Sequence, residues 1–254
     1  MIAACTLLAM VAGRTCDVRD FGARGDNSTN DAESINQAIQ SCDTIVFDGP
    51  HGQPISFVTG SVRLKSNLTI VVHPNVEIRA AKNGVGAYDL VEDNPWSQYQ
   101  DFGHSFFRNS MFWGIGITNF TVTGGGYIYG DNLTTGTTKP GDGNKMFAIR
   151  SSRHIRFDNV HLVRGGWFTI IVTDVDYFTM VETEINAIRD GIDLCQCRRV
   201  IFDCLSSIYC ILPFSNSPRH NRLLTLICVF VTGSVKHHNY VCMQARPRGQ
   251  LSHP

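Results

Sequence analysis

The chain has 254 residues, 43% of them hydrophobic and 17% charged, with 23 Gly and 9 Pro. That length suffices for one large domain or one elongated repeat core, and 22 basic against 22 acidic residues disfavours a nucleic-acid partner held by a basic stripe. The balance is uneven along the chain. All 22 acidic residues lie at or before Asp203, and the remainder carries Arg219, Arg222, Lys236, Arg246 and Arg248, so the two parts are 17 − 22 = −5 and +5.

In chain order, an apolar run from Met1 to Gly13 reads as the core and cleavage end of a secretory leader, with 1–16 as the segment removed. No later segment is long and apolar enough to span a membrane, so no membrane partner is expected. Asn27, Asn67, Asn119 and Asn132 each open a glycosylation sequon, compatible with a secreted, extracellular glycoprotein. Nine Cys fit the same setting. Their spacing matches no zinc pattern, and neither a metal nor a cofactor is expected.

Ala32, Ile35, Ile39 and Cys42 share one helical face, with Asn30 or Asp31 as N-cap. This predicts a short amphipathic helix that covers the apolar end of a stack of strands. From Thr44 the pattern turns to strands: Thr44–Asp48, Ile55–Leu64, Leu68–His73 and Val76–Ala80. Residues 82–113 interrupt the rhythm with Trp96, Tyr99, Phe102, Phe106, Phe107, Phe112 and Trp113; such rings line a sugar cleft or, more commonly, wrap the flank of a core. Residues 131–144 read as an exposed loop.

A phrase recurs from Asn67, Asn119, His154, Tyr177, Arg199 and Leu223, each followed by apolar second and fourth residues. The last four starts are 23, 22 and 24 residues apart, one repeat with almost no insertion. Period-2 alternation makes each phrase a strand with one buried face. Without the Leu pattern of a leucine-rich repeat, the spacing predicts an all-β, right-handed parallel β-helix over 17–234, with 235–254 as an irregular tail. In that register Cys204 and Cys228 fall on adjacent coils, near enough for a disulfide or a ladder of thiols.

Two passages resemble the pectin-lyase-like superfamily and, within it, glycoside hydrolase family 28, the polygalacturonases. One is Asp20-Phe-Gly-Ala-Arg-Gly-Asp26 with Phe57-Val-Thr-Gly-Ser-Val-Arg-Leu-Lys-Ser-Asn67. The other is Gly165-Gly-Trp-Phe-Thr-Ile-Ile-Val-Thr173 with Asn186-Ala-Ile-Arg-Asp190-Gly-Ile-Asp193. With Asn119 to Gly126, the resemblance covers residues 17–204. It implies a secreted, monomeric hydrolase of pectic or other acidic polysaccharide, working by inversion. Such a reaction needs a protonated carboxyl and a carboxylate roughly 6.5–9.5 Å apart.

The family pattern implies Asp190 as a base-type catalytic carboxylate, with Asp193 in the same Asp-Gly-Ile-Asp signature as a second candidate; Arg189 and Trp167 are the substrate-binding candidates, Arg189 because a guanidinium can grip a substrate carboxylate with two bonds, unless it is a solvated edge residue. The pattern transfers incompletely. Ile188 stands where the pattern has Asn, Leu205 to Cys210 read Leu-Ser-Ser-Ile-Tyr-Cys where an Asp-Asp pair belongs, and neither Gly-His-Gly nor a late Arg-x-Lys is present. An acid and base pair then requires Glu182, Glu184 or Asp203 to substitute. The expectation is an altered segment after Cys204 with C-terminal coils missing, and activity weak or lost. The alternatives are an inactive β-helix that binds acidic polysaccharide, a non-functional fragment, or a calcium-dependent pectate lyase.

Overall fold

The computed structural model describes residues 13–50, 53–82, 86–95, 102–134 and 145–203, and the backbone of 208–209 and 235–238. These form a right-handed parallel β-helix. One sheet has eleven strands and the other seven. The larger sheet is folded into two wings, because Lys145–Asp158 and Phe168–Val181 run through both and bend midway. The first wing stacks Val62–Arg63, Phe112–Ile115, 145–150, 168–173 and Asp190–Cys195. The second stacks Thr15–Asp17, Thr44–Phe47, Leu68–Val72, Thr118–Thr123, 152–158, 175–181 and Arg198–Asp203. The seven-stranded sheet runs from Asp26–Asn30 to Ile208–Tyr209.

The bends explain the recurring phrase. Asn67, Asn119, His154, Tyr177 and Arg199 all have φ between 54° and 62°, in the left-handed region. Each lies at or just inside the start of its second-wing strand. Asn and His adopt this conformation more readily than most residues. The wing-to-wing bend repeats the device at Gly116, Ser151, Asp174 and Gln196. At the far end of the wing Gly124 (φ 118°) is required, since a Cβ there would stand 2.4 Å from the Val72 carbonyl oxygen. Leu223 and Cys228 lie outside the described residues, as does Cys204.

The second and fourth phrase residues are the core. Leu68, Phe120, Ile155, Phe178 and Val200 pair in register as one buried column. Ile70, Val122, Phe157, Met180 and Phe202 form the next. Phe157 sits at their centre, its ring 4.9 Å from Phe147 and 5.8 Å from Phe178. Each fully buried ring contributes roughly 1.5–3 kcal/mol by leaving water.

The expected helix is Ala32–Ser41, with Ile35, Ala38 and Ile39 buried against the core. Asn30 Oδ1 accepts from the Ala32 and Gly60 N–H groups. Asp31 occupies the cap position, yet its carboxylate is turned to the N–H groups of Arg24 and Gly25. The first strand among the described residues, Thr15–Asp17, overlaps the segment assigned to a leader, and Cys16 is disulfide-bonded to Cys42 with Cα atoms 6.1 Å apart. Replacing both by Ser is expected to cost about 3.5 kcal/mol by loss of chain restriction over 26 residues, read as a fall in the denaturant midpoint. A midpoint unchanged by the substitutions would refute that contribution.

Val235–His238, placed in an irregular tail, runs antiparallel to Arg198–Asp203. Arg198–Asp203 offers an edge of backbone donors and acceptors, and such an edge recruits any short extended segment within reach.

Candidate functional site

The first-wing strand Asp190–Cys195, Arg189 just before it and the turn before Phe168 carry the sequence-predicted residues. Register places Phe168 beside Asp190 and Ile171 beside Asp193, with Ala148, Trp113 and Arg63 continuing the latter column. Lys145, fully buried, heads the column that runs through Phe168 to Asp190. Phe107, Ala148, Trp167, Phe168 and Ile171 form an apolar cluster separate from the main core. Phe107 comes from the aromatic insertion, so in this part the insertion wraps the flank.

Arg189 lies over the Trp167 ring at 4.5 Å, and its Nε is 3.8 Å from Asp190 Oδ2. The Asp190 N–H donates to the Trp167 carbonyl. Asp190 is mostly enclosed, its side chain 14% exposed, and Trp167 is 8% exposed. Ile188, where the polygalacturonase pattern has Asn, is among the more exposed large apolar residues. Asp193 is held from two sides: His104 Nε2 is 2.7 Å from Oδ2, and the Cys195 thiol is 3.6 Å from Oδ1. The His104 ring also meets Phe168 edge-on at 4.9 Å. Arg189, Trp167 and Asp190 thus form one contact group, and His104 ties Asp193 to Phe168, whose ring stacks on Trp167.

Sequence reasoning missed His104, whose contact with Asp193 spans 89 positions and has no local signature. It also missed Glu92. This buried carboxylate accepts from the N–H groups of Phe107 and Arg108 and lies 3.8 Å from Arg150, so it fastens the insertion to the wing. Asp89 does similar work, taking two bonds from Arg63 and one from Trp113 Nε1. Burial raises the Asp89 pKa, but Arg63 and Trp113 outweigh it and hold the carboxyl below its usual range. A depressed folded value stabilises above the unfolded pKa of about 3.9 and is lost as pH falls through the folded value. Asp89→Asn is accordingly expected to melt below the parent at neutral pH and to converge with it on acidification; a gap that widens in acid would contradict this.

The possible substitutes for a missing acid lie elsewhere. Glu184 is on the seven-stranded sheet, paired with His161 at 3.0 Å. Asp203 ends a second-wing strand, and Glu182 occupies the bend beside it. On the described first wing, carboxylates come only from Asp190–Cys195, where Asp190 and Asp193 are about 10 Å apart at Cα. Among the described residues no three His, Cys, Asp or Glu stand together as a metal-binding group.

No family model and no curated protein matches the chain. Solved structures do. A candidate glycosyl hydrolase from Parabacteroides merdae superposes with a TM-score of 0.61 at 16% identity, covering 79% of this chain and 92% of that one. The family 28 exopolygalacturonase of Yersinia enterocolitica gives 0.61 at 16%, covering 75% and 43%. The polygalacturonase of Erwinia carotovora gives 0.55 at 16%, covering 79% and 60%. The chain thus spans 43% and 60% of those two polygalacturonases. At these identities the likeness is one of fold: the chain is built on the parallel β-helix that these glycosyl hydrolases also use.

Proposed function

We propose that this is a secreted, polygalacturonase-like β-helix that holds acidic, pectic polysaccharide on the outer face of its first wing and hydrolyses it weakly or not at all. The observation that carries this reading is the Arg189, Trp167 and Asp190 cluster, in which a cation is fixed on a ring beside an enclosed carboxylate. Guanidinium suits a uronate carboxylate because its planar fork matches two oxygens. Inverting hydrolysis asks more: a proton donor and a water-activating base on opposite faces of one sugar. Asp190 is enclosed and Asp193 is engaged by His104. The Cys16–Cys42 disulfide supports an oxidising, extracellular setting. In the same reading the Ala32–Ser41 helix covers the open end of the first coil.

Affinity electrophoresis tests this. Migration is expected to be retarded by polygalacturonate and not by fully methyl-esterified pectin. Equal mobility in both gels would reject the reading, and an unsaturated product absorbing in the ultraviolet would replace it with a lyase.

A further inference from the structure

A second set of charged and aromatic side chains lies outside that site, at the corner between the two wings. Register puts Arg153, Asp176 and Arg198 in one column on three successive coils. The neighbouring column is His154, Tyr177 and Arg199, each turned by its left-handed bend. Asp176 is nearly buried, with a side chain 11% exposed, and Arg199 Nη1 donates to both of its oxygens at 2.7 and 2.8 Å. Arg153 and Arg198 approach to 3.9 Å only, a charge contact rather than a hydrogen bond, and are 61% and 62% exposed. Burial pushes the Asp176 carboxyl up, but Arg199, Arg198 and Arg153 together hold it below the usual range. With exposed Asp174 counted, three guanidiniums face two carboxylates, so one positive charge is left over.

The rings add a surface of a different kind. His154 stacks on Tyr177 at 4.5 Å and 14°, and the Arg199 guanidinium lies 4.7 Å from the Tyr177 ring. Tyr177 is 37% exposed. Open grooves of about 280 and 460 Å³ flank this stack; the first is lined by Arg153, Asp174, Asp176 and Arg198, and the second by Asp43, His154, Arg156 and Thr179 among others.

We propose that this corner is a second, non-catalytic site for a carboxylate-bearing polysaccharide strand lying along the stack axis. A β-helix repeats every 4.7–4.9 Å, so equivalent side chains recur at roughly the rise of one sugar in an extended chain. Arg153 and Arg198, two coils apart, have their backbones spaced roughly 9.6 Å, and their long exposed side chains can turn from Asp176 to meet alternate carboxylates. Tyr177, its ring stacked between His154 and Arg199, presents its edge to the strand and holds the Arg199 guanidinium in place. The ligand class rests on the reading proposed above, whereas the residues are separate from it.

The test uses unglycosylated protein from a bacterial host, with polygalacturonate as the probe and methyl-esterified pectin as the control. Arg153→Ala with Arg198→Ala leaves Asp176 paired to Arg199, so the fold is kept; affinity is expected to fall about tenfold with an unchanged melt, and the salt dependence to flatten. Corner variants that bind as the parent does would overturn the proposal, as would complete loss of binding in Arg189→Ala alone. Binding that survives Arg189→Ala and disappears in the corner variants would uphold this site and reject the first-wing reading. Equal affinity for the methyl ester would overturn the assignment to carboxylates.

Discussion

Phe157→Ala is expected to destabilise the protein by about 3–5 kcal/mol, a large share of the roughly 5–15 kcal/mol that holds an ordinary domain folded. Phe157 is fully buried, in register with Val122 below and Met180 above, and it touches the rings of Phe120, Phe147 and Phe178. In a solenoid each coil rests on its neighbours, so the hole would lie in the middle of the stack where no surface chain can collapse into it. Thr179→Ala is the control, since Thr179 lies on the solvent side of the adjoining strand and borders an open groove. Its cost is expected to stay within about 0.5 kcal/mol. Equilibrium denaturation of both variants checks the contrast, and equal losses would contradict the assignment of inward and outward faces.

Arg189→Ala is expected to weaken polygalacturonate binding on the first wing about tenfold, the scale of one charge-assisted hydrogen bond. Arg189→Lys should recover only part of this. An ammonium keeps the charge but loses both the planar fork and the stacking on Trp167. The difference between parent and Arg189→Ala should shrink as salt is raised, because the removed interaction is between charges near the surface. Affinity measured at two ionic strengths for the three proteins decides it. Full rescue by Lys would mean that Trp167 and the fork contribute nothing.

The fold was largely legible because a β-helix repeats its physics once per coil. The phrase starting at Asn67, Asn119, His154, Tyr177 and Arg199 marks a bend and two buried positions, and local residue types record both. Helix Ala32–Ser41 was legible for the same reason, through the spacing of Ile35 and Ile39. What escaped was long-range. The Cys16–Cys42 bond joins the first strand to the end of the helix, and nothing in the spacing of nine Cys selects that pair. The site was half legible: Asp190 and Asp193 sit on one strand and can be read together, but His104 and Glu92 arrive from an insertion whose path over the wing leaves no periodic trace.

The most direct measurement of the central claim is reducing-end release from polygalacturonate by the parent and by Asp190→Asn, side by side. With carboxylates offered by one strand of the described first wing, Asp190 enclosed beside Arg189 and Asp193 tied to His104, both proteins are expected to stay at background while both still bind the polymer. Robust release by the parent that disappears in Asp190→Asn would contradict the account, and would make this chain a working glycoside hydrolase with Asp190 as an essential carboxylate.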